Sequence, residues 1–486
     1  MSLRPTPVPP VPAATAQLAQ QVFPRGHLYL TMRDTFETFF TDALFAPLFR
    51  REEQRQWALK YLQGQLLDLE RKSVEPMALA LEGGNVQAMQ QFISVGAWDD
   101  DAVLQQHQRL VAETLGDPQT GVLILDGCDF PKQGGHSVGV ARLWCGALGK
   151  VANCQASVVA AYASQHGYTL VDRRLYLPER WWSEAYQERW QACGIPDQTP
   201  FRTEPELAGE LIETLHQRGV LPFQWVTFDE HFGYDPALLD RVAARGLWYF
   251  AEVPHDTRVW LERPGTWVPA AKQTGRPPTR ERVVPGQPEP VRVDQVAAQV
   301  PAEQWTLAQI KEGAKGPIVA DFAFVRAVAV RDGLPGPDVW IVMRRTRDTP
   351  PEVKTYLSNA PPETPRERLI WVSGMRWPVE SAILECKREL GMDHYEVRGW
   401  VGWHHHLTLS LLAHHFLVRL RCRLGKKITR ADRAPSPPAD GGGAPQAALG
   451  RQDGHRPHRL DSAPQLRRLL LAPPPHPAPA RYLLTN

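Results

Sequence analysis

Apolar positions recur at helical spacing through the first quarter of the chain. Phe36, Phe39, Phe40 and Leu44 share one face, Trp57, Tyr61, Leu62 and Leu66 a second, and Val103, Leu104, Leu110 and Val111 a third, which predicts an all-α N-terminal domain over residues 27–118. The pattern changes at Gly121. VLILD at 122–126 is a short apolar run bounded by turn residues, and Ser137–Cys145 and Cys154–Tyr162 read as extended, so three successive strands are predicted. A helical stretch at Glu206–Arg218 leads into FQWVTFD, an apolar run ending on Asp229, and Pro236–Arg245 is helical again. Strands followed by alternating helix and strand predict an α/β core, whose first part spans 119–246.

From Leu247 the pattern is mostly β, with runs at Trp248–Val253, Val319–Val330 and Val339–Met343 between Pro- and Gly-rich connections, so residues 247–350 read as a β-rich insertion subdomain. The core resumes over 351–424. There Pro378 suits a first helical turn, Val379, Ile383, Cys386 and Leu390 recur at helical spacing, and Gly391 is placed to end the helix. A long helix follows over about His405–Leu424. The ends read differently: residues 1–26 are Pro-rich and predict a disordered lead, and 425–486 a basic, Pro/Gly-rich flexible tail.

Composition sharpens this only in places. Lys plus Arg at 55 against Asp plus Glu at 53 leaves +2, so no global excess announces a polyanion. The charge is uneven, however: the tail beyond Gly425 has ten Lys or Arg against four Asp, net +6, which leaves −4 for the rest. That tail either touches a polyanion or merely solubilises. Six cysteines form no CxxC pair and no dense framework, which argues against a zinc ribbon or disulfide scaffold and fits a reducing cytoplasm. The most apolar later segment, Leu407–Leu420, is interrupted by His414 and His415 and is too short to cross a bilayer, so no membrane partner is expected.

Candidate chemistry begins with two apolar runs that end in a carboxylate, at Asp126 and Asp229, because strand ends are where side chains converge on a ligand. A third element, RWPVESAILECK, spaces Arg376, Glu380 and Lys387 four and then seven residues apart, on one stripe of a helix. Taken alone, the acids could cap helices and the stripe could be a solvated salt-bridge ladder.

The order and character of these blocks resemble the DDE transposases of bacterial insertion sequences. The likeness runs through ILDGCDFPKQGGHSVGVARLWCGALGKVANCQ at 124–155, CGIPD at 193–197, FQWVTFDEHFGYD at 223–235, YLSNAP at 356–361, RWPVE, and CKRELGMDHYEVRGWVGWHHHLTLSLLA at 386–413, covering roughly residues 30–424. It implies an RNase H-like mixed sheet flanked by helices, in the branch with a β-rich insertion before the catalytic Glu. It also implies a catalytic and metal-binding triad of Asp126, Asp229 and Glu380, holding two Mg²⁺ ions for which Mn²⁺ can substitute. Arg376 and Lys387 fill the Arg and Lys places of that branch's signature around the Glu, while Ser373 stands where Tyr is expected. Gly127 follows Asp126 where a second acid is expected. Asp129 is the alternative, but Asp126 directly ends the apolar run.

The partners implied are DNA, as terminal inverted repeats and target, and a second copy in a homodimer on paired ends, in a cytoplasmic, nucleoid-associated setting. Arg376 and Lys387 would grip phosphates near the scissile bond, with Lys132, Lys150, Arg344 and Arg345 as further DNA contacts. The N-terminal helices would read DNA. Trp181, Trp182, Trp400 and Trp403 either stack on bases or fill the core. The histidines at 404–406 and 414–415 lack accompanying cysteines, and the family pattern has only one His there, matching His406, so they are not expected to hold metal. Two rivals remain: a catalytically inactive descendant that only binds DNA, motivated by Gly127 and Ser373, and a carboxylate-pair glycosidase, opposed by the cations beside Glu380.

Overall fold

The computed structural model describes residues 48–269, 280–313 and 316–423. The predicted lead, the Phe36 face and the basic tail lie outside the described residues.

Helices α1 (Glu52–Leu66), α2 (Val74–Ala80), α3 (Val86–Val95) and α4 (Asp100–Leu115) come first. Asn85 and Asp99 cap α3 and α4 by accepting from the backbone N–H three residues on. The core strands are β1 (Val122–Pro131), β2 (Ala141–Cys145), β3 (Lys150–Ser164) and β4 (Gly167–Leu175). Next come α5 (Gln187–Cys193), α6 (Glu204–Arg218), β5 (Trp225–Phe228), α7 (Glu230–Gly233), α8 (Pro236–Ala244) and β6 (Trp248–Glu252). Strand β1 pairs antiparallel with β3 and parallel with β5, β5 pairs parallel with β6, and β4 pairs antiparallel with β3. Three antiparallel strands followed by two parallel ones make the RNase H-like mixed sheet, flanked by helices on both faces.

The alternation along β1 shows how the faces fill. Val122 and Ile124 belong to a core shared with α1–α4 and the C-terminal helices, whereas Leu123 and Leu125 face a second core with α6 and α8. The N-terminal helices therefore share a core with the mixed sheet, and α3, α4 and α1 all pack on the last helix.

Residues 247–350 are expected to form a β-rich insertion subdomain, and strands there and just beyond lengthen the core sheet: β7 (Arg258–Trp260), β10 (Val291–Arg292), β11 (Thr306–Gly313), β12 (Gly316–Arg331), β13 (Leu334–Arg345) and β14 (Val353–Ser358) join it in the order β10-β7-β12-β13-β14-β6-β5-β1-β3-β2, with β11 on β12. Only the short pair β8 (Thr266–Trp267) and β9 (Arg282–Val283) stands apart, and α9 (Val293–Gln299) follows β10. The first strand assigned to the insertion, β6, is a core strand. An unpaired β6 edge would leave a row of backbone donors and acceptors open, and β14 closes it by pairing Tyr356–Ser358 with Phe250–Glu252. The β12–β13 hairpin turns on Asp332 and Gly333, whose positive φ values of 51° and 75° suit a two-residue loop.

One more expectation shifts. The second predicted strand starts at Ala141 rather than Ser137, because residues 137–140 turn at Gly139, φ +70°, and Val138 donates to the Arg398 carbonyl. The chain ends with α10 (Arg366–Ser373), α11 (Trp377–Leu390) and α12 (Trp400–Arg423). Gly391 closes α11 in the left-handed conformation, φ +65°.

Candidate active site

Three carboxylates converge on one guanidinium. Asp126 lies within β1 and Asp229 follows the end of β5, its neighbour in the sheet, where its Oδ1 caps α7 by accepting from Phe232 N at 3.4 Å. Glu380 stands in the first turn of α11, which packs across β1. Arg376 precedes that helix. Its Nη1 lies 3.6 Å from Asp126 Oδ2 and 3.5 Å from Asp229 Oδ2, while Nη2 donates to Glu380 Oε1.

Burial dominates the electrostatics of Asp126. Loss of water pushes its carboxyl up to about 7; Arg376 and the Gly127 N–H it accepts oppose this, while the Asp229 and Glu380 charges add to it. Arg376 is the reciprocal case: burial disfavours its charge, but Asp126, Glu380 and Asp229 together outweigh that and hold it above the usual arginine range. Among the described residues no three His, Cys, Asp or Glu side chains stand close enough together to cage an ion as they are. The guanidinium takes the central place. The donor set nevertheless fits a hard divalent cation: oxygen ligands only, gathered round a positive charge, with Asp126 in need of one to ionise fully.

Asp129, three residues beyond Asp126 on the same strand, alternates to the other face and accepts from Gly146 N at 2.7 Å. Lys387 does not bracket Glu380. Its Nζ donates to the Asp129 carbonyl at 2.7 Å, tying α11 to β1. Lys132 is withdrawn from the surface: its Nζ lies 3.3 Å from the Tyr395 ring centre and donates to the Tyr395 carbonyl, and burial pushes it down to about 8. Lys150 is exposed at the start of β3, opposite Cys145 of β2. Arg344 and Arg345 alternate along β13. Arg344 lines a cavity beside the triad, and Arg345 pairs with Asp321 at 3.4 Å.

That cavity, about 220 Å³, is walled by Tyr356 and Trp377 and reached by Lys311, Lys354 and Glu252 as well as Arg376 and Glu380. None of Lys311, Lys354, Glu252 or Tyr356 stood out in the sequence, although Tyr356 opens the family-like block YLSNAP. Ser373 sits on the wall with its hydroxyl bonded to the Ile370 carbonyl.

The tryptophans divide. Trp181 and Trp403 are fully buried and cannot stack on bases; Trp182 and Trp400 are half-buried against protein rings. The histidines are structural: His406 bonds the Tyr61 hydroxyl and the Met392 carbonyl, and His414 bonds Thr169 and Glu385. All six cysteines are free. No described helix is long and apolar enough to cross a membrane.

Residues 44–317, more than half of the chain, match the sequence family described as DDE superfamily endonuclease. The chain belongs to the DDE superfamily endonucleases. The family match takes in Asp126 and Asp229 of this DDE endonuclease and ends before Glu380, so it is α11 that brings the third acid to the first two. A protein described as a probable transposase for insertion sequence element IS701, from Microchaete diplosiphon, is 30% identical over 179 residues, which are 36% of this chain and 43% of that relative. The matched part is thus less than half the relative's length.

Proposed function

We propose that this DDE endonuclease is the transposase of an insertion sequence, which binds the element's terminal inverted repeats, hydrolyses phosphodiester bonds at its ends and joins the freed 3′ hydroxyls to target DNA. The observation that carries the reading is the meeting of Asp126, Asp229 and Glu380, from two adjacent strands and one helix, round a single positive charge. These three carboxylates would hold the divalent ions, two Mg²⁺ or Mn²⁺, which when bound activate water and neutralise charge on the attacking and leaving oxygens.

The chain's own groups do the rest. Arg376 keeps the triad compensated in the DNA-free protein, and a DNA phosphate is the natural acceptor for its guanidinium once the carboxylates take up metal. Lys387, by fixing α11 to β1, keeps Glu380 in register with Asp126. Lys150 and Arg344 remain accessible cations for the backbone of the duplex. The N-terminal helices support DNA contact through their shared core with the catalytic sheet, and a homodimer on paired ends would bring two such sites together.

The test is cleavage of duplex DNA carrying the element's ends by the purified chain with Mg²⁺ or Mn²⁺. Wild-type protein should nick at the ends, and Asp126→Ala, Asp229→Ala and Glu380→Ala should each abolish nicking while end binding persists. Binding without nicking by the wild type would replace this reading with that of a DNA-binding descendant.

A further inference from the structure

Among the described residues, two cations beside the triad make no close ion pair, though Lys311 lies within the field of Glu380. Four cations and two carboxylates line the cavity next to Glu380. Lys354 pairs with Glu252 at 2.7 Å and Arg376 with Glu380, so each acid has a closer cation than Lys311 or Arg344. Among the described residues, Lys311 and Arg344 make no ion pair. Each rests on an aromatic wall instead, Lys311 Nζ 3.8 Å from the Trp377 ring centre and the Arg344 guanidinium 5.5 Å from that of Tyr356.

The indole Nε1 of Trp377 is also buried without an acceptor among the described residues. A part-buried cavity with two cations that make no close ion pair favours the entry of an anion. The neighbouring carboxylates repel an anion on the Glu380 side. The Lys311 and Arg344 side is open to a tetrahedral anion, which a lysine meets as a point charge and an arginine as a fork.

We propose that this cavity is a phosphate subsite, in which Lys311 of the inserted strand β11 and Arg344 of β13 bind one non-scissile phosphodiester of the DNA whose cleaved bond lies at the triad. This deepens the transposase reading and rests on it. It gives the insertion a direct part in holding DNA: β11 delivers a positive charge to within the field of Glu380.

The experiment uses the full chain and an end-bearing duplex in which backbone phosphates are replaced, one at a time, by neutral methylphosphonates. Wild-type binding should weaken at one phosphate beside the cleaved bond. In Lys311→Met, whose stem still covers Trp377, that position should lose its effect while all others keep theirs, and the salt slope of binding should fall by about 1. Lys311→Arg should restore the sensitivity. Arg344→Gln should remove it at the same phosphate or its neighbour. An unchanged methylphosphonate profile and salt slope in Lys311→Met, or sensitivity lost at a distant phosphate in Arg344→Gln, overturns the subsite and leaves the transposase reading standing. Wild-type protein that ignores the end duplex, or an Asp126→Ala that still cleaves, overturns both.

Discussion

Arg376 has two duties that cannot be met at once: it neutralises three carboxylates, and it stands where a divalent ion would be shared by them. Removing it should therefore raise the metal affinity of the DNA-free protein. We expect Arg376→Ala to bind Mn²⁺ at least about tenfold more tightly by calorimetric titration, a gain of about 1.4 kcal/mol; equal or weaker binding would show that the guanidinium does not compete. Asp126 and Asp229 were legible in the sequence because each ends an apolar run, and strand alternation explains why Asp126 rather than Asp129 faces α11. Glu380 was legible through helical spacing and family likeness. The spacing misled at Lys387, since two turns along α11 carry it past the triad to the Asp129 carbonyl. Lys311 gave no signal at all, as the largely polar TLAQIKEG lacks the apolar alternation that marks a strand.

At the scale of elements, α11 is held at both ends and along one side. Its C-terminal glycine has no room for a side chain: a Cβ on Gly391 would lie 2.7 Å from Lys72 Cβ, in a left-handed conformation. Gly391→Ala should cost more than about 1–2 kcal/mol in urea unfolding. Glu385, five residues beyond Glu380, accepts from Tyr168, His414 and Arg421, and although burial favours its neutral form these donors bring its carboxyl down to about 2. Glu385→Ala should cost about 2–3 kcal/mol, Glu385→Gln less, and both should slow cleavage by loosening the helix that carries Glu380; a destabilised variant with full activity would separate the network from the site. The bounds of α11 could be read from Pro378 and Gly391. Strand β4 could not, because GYTLVDRRL buries Asp172 and Arg173 in an ion-pair network with Asp100 and Arg174, and sequence patterning treats such charges as surface.

For the molecule as a whole, buried histidines tie the N-terminal helices to α12 and the sheet, and they make the fold sensitive to acid. Burial pushes His107 down to about 4 and His406 to about 3, so both are neutral in the folded chain and take a proton near 6.5 once it unfolds. Their contribution to stability is present above pH 6.5 and drains away as pH falls toward 4. Between pH 7 and pH 5 each should cost on the order of 1–2 kcal/mol, seen as a falling urea midpoint, and His406→Gln should flatten part of that slope. The unbroken sheet sets a different kind of constraint. Because β14 seals β6 and is itself paired with β13, the inserted region is no detachable cassette: excising 253–352 would remove β13 and strip the neighbour from β14, three places from β1, baring a sticky margin, and such a truncation should elute as aggregates on gel filtration rather than as a smaller, silent nuclease. Evolutionary loss of the insertion would thus have to be accompanied by a new rim for the sheet.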